Sequence, residues 1–159
     1  MTLETTYYKS PIGILEIKGN NAGIQSVLFV EEISSNEEEV CETLKKCVVQ
    51  LAEYFSGERK EFELDLAIKA TKFQEKVWRE LLKIPFGKTR SYLEQSKEIG
   101  DVKAIRAVGT ANGKNPIAII VPCHRIIGSD GSLTGYAGGI WRKKWLLEHE
   151  SGCKQQSLF

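Results

Sequence analysis

Three short runs near the start of the chain, residues 5–9, 14–18 and 24–30, concentrate β-branched and aromatic side chains. Pro11-Ile12-Gly13 and Gly19-Asn20-Asn21, both strong turn signals, separate them, so the pattern predicts a small antiparallel meander. The period then changes. Val40, Leu44, Val48, Leu51 and Phe55 recur every three or four residues, the spacing of one helix face, which predicts a helix over 36–55 ended by Gly57. Asn36 is its expected N-cap, and Glu37, Glu38 and Glu39 sit where the helix dipole favours negative charge.

The second half reads as helical. Thr71 is the expected N-cap of a helix that buries Phe73, Val77, Trp78, Leu81 and Leu82, presents Lys72, Lys76, Arg79 and Lys83, and stops at Pro85-Phe86-Gly87. Two short helical segments, 92–99 and 102–112, meet at Gly100-Asp101, the grammar of a helix-turn-helix. The second is built of small residues, Ala104, Ala107, Gly109 and Ala111, with one long cation, Arg106. A helix bare of bulk can lie close to a surface, although the same alanines could pack into a core. Asn115-Pro116 breaks it, an apolar run over 117–122 follows, residues 128–132 read as a hairpin or short wing, and 135–139 as a flexible loop. A last helix over 140–150 carries Trp141, Trp145, Leu146 and His149, and the tail from Ser151 is expected to fray.

Charge adds an asymmetry that the near-neutral total conceals. Residues 1–65 hold six cations against thirteen acidic residues, a net of −7, and residues 66–159 hold sixteen against eight, a net of +8. A basic half attracts a polyanion while the acidic half is kept from it, which orients the molecule on nucleic acid; the lesser alternative is attraction between the two halves. The boundary is expected near the change in composition at 61–70, giving domains over 1–68 and 69–159. The longest apolar run is far short of the ~20 residues that span a bilayer, and residues 1–10 show no targeting pattern, so a cytosolic or nucleoid-like location is expected, with no membrane partner. Cys41, Cys47, Cys123 and Cys153 are irregularly spaced and form neither a disulfide framework nor a zinc motif; Cys41 and Cys47 read as small core or boundary residues.

The candidate chemistry lies in Pro122-Cys123-His124-Arg125. A thiol attacks as thiolate, so a reactive cysteine needs a base, a cation or a helix N-terminus nearby. His124 and Arg125 are candidates, yet neighbours in sequence point in different directions, and the base could act through a water.

Arg106-Ala107-Val108-Gly109, Asn115-Pro116, Pro122-Cys123-His124-Arg125-Ile126-Ile127, Gly135-Tyr136-Ala137-Gly138-Gly139 and Leu146-Leu147-Glu148-His149-Glu150 together resemble the O6-alkylguanine-DNA alkyltransferases, over roughly residues 70 to 150. The resemblance implies an α+β protein: a small N-terminal ribonuclease-H-like α/β domain and a mainly helical C-terminal domain of winged-helix type. It also implies DNA repair by one irreversible transfer of an alkyl group from guanine O6, and possibly thymine O4, to the protein's own cysteine, without a cofactor, by a monomer bound to double-stranded DNA.

On this resemblance Cys123 is the alkyl acceptor, His124 draws its proton through a water, and Glu150 orients the imidazole. Asn115 holds the active-site turn, where the bare sequence would also allow a helix C-cap. Tyr92 presses on the target phosphate and donates to the extruded base. Arg106 fills the vacated stack while the small-residue helix, with Ala104 and Ala107, lies in the minor groove. Ser129 contacts the nucleic acid or borders the pocket, and Tyr136, Ala137 and Gly138 form the pocket lid and supply donors to the alkylated oxygen. Arg125 is assigned an ion pair across the domain boundary. Some relatives carry a hydroxyl residue where Ala137 stands, which leaves the backbone N–H as donor there. With two histidines in the chain, both inside these motifs, the structural zinc site of some relatives is not expected. The competing readings are a non-enzymatic binder of alkylated bases, which would lack the cysteine, a Cys-His-Glu hydrolase, which would need an oxyanion hole, and a transcriptional regulator, which would carry polar readers on its recognition helix.

Overall fold

The computed structural model describes residues 2–34 and 39–152. They divide into two compact units, one of residues 1–69 with 116–120, the other of residues 70–115 with 121–159.

In the first unit, β1 (Glu4–Ser10), β2 (Gly13–Asn20) and β3 (Gly23–Val30) form an antiparallel sheet in the order β1-β2-β3. The inward positions Leu15, Ile17, Ile24 and Val27 are fully buried, as strand alternation requires. Helix α1 (Glu42–Ser56) packs on the sheet through Leu44, Cys47, Leu51, Tyr54 and Phe55. It starts later than the sequence pattern suggests: Cys41 is the N-cap, Val40 precedes the helix, and the expected cap at Asn36 falls outside the described residues. Gly57 closes it at φ +89°, a left-handed position that favours glycine.

The open edge of β3 is covered by two irregular segments. Ile24 exchanges hydrogen bonds with Asp65 and Ala67 at 2.8 and 2.9 Å, and Val27 with Pro116 and Ala118 at 2.8 Å each. The second pairing explains the apolar run over 117–122. Ile117 and Ile119 are buried in the first unit, so this piece of sequence from the basic half seals the edge of the acidic half's sheet. Ile119 sits at φ +72°, rare for a β-branched residue and worth roughly 1–3 kcal/mol of strain, two residues before the chain returns to the second unit at Val121.

In the second unit, α2 (Lys72–Leu81) begins with a complete capping box: Thr71 Oγ1 accepts from the Gln74 N–H, and Gln74 Oε1 accepts from the Thr71 N–H. Its buried face is narrower than expected, with Val77, Trp78 and Leu81 inside but Phe73 and Leu82 exposed. The expected two-segment motif is present as α3 (Tyr92–Ile99), a left-handed turn at Gly100, a 3-10 turn (Val102–Ala104) and α4 (Ile105–Gly113). Trp78 Nε1 donates to the Ala111 carbonyl at 2.8 Å and fixes α4 against α2. The strands β4 (Arg90–Ser91) and β5 (Ile126–Ile127) pair in parallel, joining the start of α3 to the residues after His124. Helix α5 (Ile140–Ser151) completes the unit; Ser151 is still helical, Gly152 caps it, and residues 153–159 lie outside those described.

Candidate active site

Cys123 opens a 3-10 turn (Cys123–Arg125) set by Pro122. The Val121 carbonyl accepts from the Cys123 N–H at 2.9 Å and from Asn115 Nδ2 at 2.7 Å, so both of its lone pairs are used to hold the turn. Asn115 therefore does locally what a turn-holding residue must, from the break after α4.

His124 is fully buried. Its Nε2 lies 2.6 Å from Glu150 Oε2, and its Nδ1 is buried without a hydrogen-bond partner. Arg125 departs from expectation. Its Nε and one terminal nitrogen donate to the two Glu150 oxygens at 2.7 and 3.0 Å, and the other donates to the Ile84 carbonyl at 2.7 Å. Arg125 is thus bound to Glu150 within its own unit, not across the domain boundary, because the turn and the end of α5 meet there. One carboxylate serves a histidine and an arginine, an arrangement of charge-assisted bonds that a buried pair requires.

The electrostatics follow from burial. Burial raises the Cys123 thiol above its ordinary value, outweighing the Asn115 hydrogen bond and the Lys143 charge that act the other way. Burial also lowers His124, against the pull of Glu150, and keeps the imidazole neutral. Burial pushes Glu150 up, but the hydrogen bonds and charges of His124 and Arg125 prevail and hold the carboxyl well below the usual range. At rest, the cysteine is a thiol beside a neutral imidazole whose Nε2–H is directed at a carboxylate.

Cys123 opens onto a cavity of about 260 Å³ lined by Tyr92, Gly109, Asn112, Tyr136 and Ala137 among others. Tyr136 has its hydroxyl buried without a partner, and burial raises its pKa well above the ordinary value, so it stays a donor. Gly138 does not line the cavity; its carbonyl accepts from Arg142 at 2.9 Å. Tyr92 Oη donates to the Thr134 carbonyl at 3.1 Å. On the helix side, Arg106 and Ala107 are exposed, Ala104 is half-buried and Ala111 is in the core, so the small residues divide between surface and packing. Ser129 is exposed at a turn closed by the Gly128 N–H on the Ser132 carbonyl. His149 stacks on Trp145 with ring centroids 4.9 Å apart and does not line the cavity. No group of three or more His, Cys, Asp or Glu side chains is placed to share a metal ion among the described residues, and none of their helices is long and apolar enough to cross a membrane.

Two features escape sequence reasoning. Lys143, one of two adjacent lysines on α5, is fully buried, donates to the same Thr134 carbonyl at 2.9 Å, and has its amine shifted down by burial, with Cys123 opposing the shift. Gln95 and Asn112 form a buried amide pair. Lysine and glutamine on amphipathic helices read as solvent-facing, and no local signal marks them otherwise.

Comparison with known proteins agrees in both halves. Residues 3–68 match the family described as 6-O-methylguanine DNA methyltransferase, ribonuclease-like domain, and residues 72–152 match 6-O-methylguanine DNA methyltransferase, DNA binding domain. The methylated-DNA–protein-cysteine methyltransferase of Methanosarcina acetivorans is 46% identical over 92% of this chain and 97% of its own length. That of Mycobacterium tuberculosis (H37Rv) is 48% identical over 89% and 88%. A crystal structure of Mycobacterium tuberculosis OGT in complex with DNA superposes with a TM-score of 0.82 at 47% identity, covering 94% of this chain and 92% of that one.

Proposed function

The chain belongs to the 6-O-methylguanine DNA methyltransferase family, and on that footing we propose that it repairs DNA by moving the alkyl group of O6-alkylguanine onto its own Cys123, once per molecule. The observation that carries the reading is the series Cys123, His124, Glu150, its last two members buried and Cys123 opening onto a cavity of about 260 Å³ that can receive a base.

Because Nε2 of His124 donates to Glu150, Nδ1 holds the lone pair and is the proton acceptor. The Cys123 proton passes to Nδ1, directly or through a water. Glu150 stabilises the imidazolium while Arg125 holds the carboxylate in place. The thiolate attacks the alkyl carbon in line; the S–C bond forms, the C–O6 bond breaks, and its electron pair leaves with guanine, which then takes up a proton. The thioether leaves no thiol to attack a second alkyl group, and nothing in the site removes the alkyl group from sulfur, so no second turnover follows.

The target atom lies within the duplex stack, so the base must be turned into the pocket, at a cost of a few kcal/mol. The 69–159 domain takes the DNA and the alkyl group, and the 1–68 domain supports it. Exposed Arg106 fills the gap left by the base, and Ala104 and Ala107 let α4 approach the minor groove. Tyr92 leaves Thr134 to meet the base and its phosphate, Ser129 contacts the backbone, and Tyr136 with the Ala137 and Gly138 backbone covers the base. The protein acts as a monomer, without a cofactor, where DNA is accessible in the cytosol or nucleoid.

The direct test is intact mass after mixing with equimolar duplex that carries one O6-methylguanine, followed by peptide mapping. One methyl on Cys123 per molecule is expected; unmodified protein that still binds the lesion would replace transfer with simple recognition.

A further inference from the structure

The cavity beside Cys123 has two walls of different stiffness. One is helical: Gly109, Asn112 and Gly113 belong to α4, which Trp78 ties to α2 through the Ala111 carbonyl and which the buried Gln95–Asn112 amide pair ties to α3. The other is the irregular segment that brings Gly135, Tyr136 and Ala137 to the cavity. A close-packed helical wall yields little, so a bulky group beside Cys123 finds its room by moving the segment.

Side chains hold that segment at both ends. At its start the Thr134 carbonyl accepts from Tyr92 Oη at 3.1 Å and from Lys143 Nζ at 2.9 Å. At its end the Gly138 carbonyl accepts from a terminal nitrogen of Arg142 at 2.9 Å. The Arg142 guanidinium carbon in turn lies 4.6 Å from the centre of the Trp141 ring, where cation–π attraction holds the group in place. Burial does not account for Trp141, which is 57% exposed; its ring meets the guanidinium on α5 and the backbone of Gly139, where a Cβ would stand 3.3 Å from it. The Gly139 N–H donates to the Tyr136 carbonyl at 2.9 Å, so a displacement at residues 138–139 is passed on to the residues that face the cavity.

We propose that Arg142, held in place by Trp141, is a positioning residue that latches residues 134–139 over the cavity and so sets how large an O6-alkyl group the protein accepts. This rests on the function proposed above. A methyl group leaves the segment where it is and gains from the fixed placement of Tyr136 and of the Ala137 N–H. A benzyl group has to push the segment outward, which breaks the bond between Arg142 and Gly138. The strength of that bond is therefore part of the discrimination against bulk.

The test measures single-turnover transfer from O6-methylguanine and from O6-benzylguanine, each in the same short duplex, and takes the benzyl-to-methyl ratio of the two rates. The intrinsic reactivities of the two alkyl carbons are common to every variant, so a change in the ratio reports the protein. Arg142→Ala is expected to raise the ratio by about tenfold, the size of one net hydrogen bond, because methyl transfer slows while benzyl transfer no longer has a latch to break. Trp141→Ala, a substitution at an exposed position, is expected to raise it in the same direction by less, and is read by the same rule if Arg142→Ala folds poorly. Both rates are taken on one preparation, so a lower folded fraction cancels from the ratio. A purely structural role would change both rates equally. An unchanged or lower ratio overturns the inference, as does absence of benzyl transfer by wild type and variants alike. Absence of methyl transfer by the wild-type protein would instead overturn the proposed function, and the inference with it.

Discussion

Glu150 Oε2 lies 2.6 Å from His124 Nε2, and the imidazole is fully enclosed. The carboxylate decides the tautomer. With the proton on Nε2, the unpartnered Nδ1 is the only basic position left on the ring, and His124 is a base for the thiol rather than a charged partner for Glu150.

The first consequence concerns the pH dependence of transfer. Burial lowers His124 and raises Cys123, so the reactive combination of neutral imidazole and thiol persists over a wider range than free side chains would allow. The single-turnover rate is expected to stay level through pH 6.5 and to fall only below it, since protonated His124 cannot accept the thiol proton. An acid limb centred at or above pH ~6.5, the ordinary histidine value, would remove His124 from that role.

Stability should follow pH in the same direction. The folded protein holds His124 neutral and Glu150 ionised below the pH at which the unfolded chain protonates each. The unfolded state then binds more protons, so stability is lost as pH falls, first below the ordinary histidine value near ~6.5 and then through the carboxylate range near ~4. Urea midpoints between pH 8 and 4 measure this. His124→Asn should flatten the upper part of the curve, and an unchanged slope there would show that burial of His124 does not set it.

Glu150→Gln leaves Arg125 buried opposite a neutral amide. Loss of one partner of a buried ion pair costs roughly 3–5 kcal/mol, so unfolding in urea should shift strongly. Transfer by the remaining folded protein should slow as well, because the imidazolium loses its counter-charge. A stability loss with an unaltered transfer rate would confine Glu150 to structure.

Arg106→Ala removes an exposed side chain and should leave folding intact. Transfer from duplex is expected to drop by tenfold or more, whereas reaction with free O6-alkylguanine base, which needs no extrusion, should change little. Equal losses on both substrates would end the proposal that Arg106 fills the vacated stack.

Asn115→Ala takes one of the two hydrogen bonds from the Val121 carbonyl, with an expected stability loss of roughly 1–3 kcal/mol. Alkylation of Cys123 by iodoacetamide, followed by mass, should also slow, because the thiol loses the hydrogen bond that favours its ionised form. An unchanged alkylation rate would limit Asn115 to holding the turn.

The legible features were those with short-range causes. Turn residues at 11–13 and 19–21 delimit the meander, Thr71 and Gln74 form their capping box, and Gly57 and Gly100 end helices where only a residue tolerant of positive φ fits well. The start of α1 was misplaced because an acidic run suits the first turn of a helix wherever it stands, whereas the helix begins at Glu42. Phe73 and Leu82 looked buried because period alone does not reveal how wide a face the partner covers.

By itself the sequence determined the motif set around Cys123, the alternation of strands and helices, and the division of charge, since each is a matter of composition or spacing within a few residues. Tertiary structure alone decided who meets whom. It sent residues 116–120 to the edge of β3, turned Arg125 onto Glu150, buried Lys143, and joined Gln95 to Asn112. Those outcomes rest on long-range packing and on the need of each enclosed polar group for a partner, and such partners lie far along the chain, where no local pattern points to them.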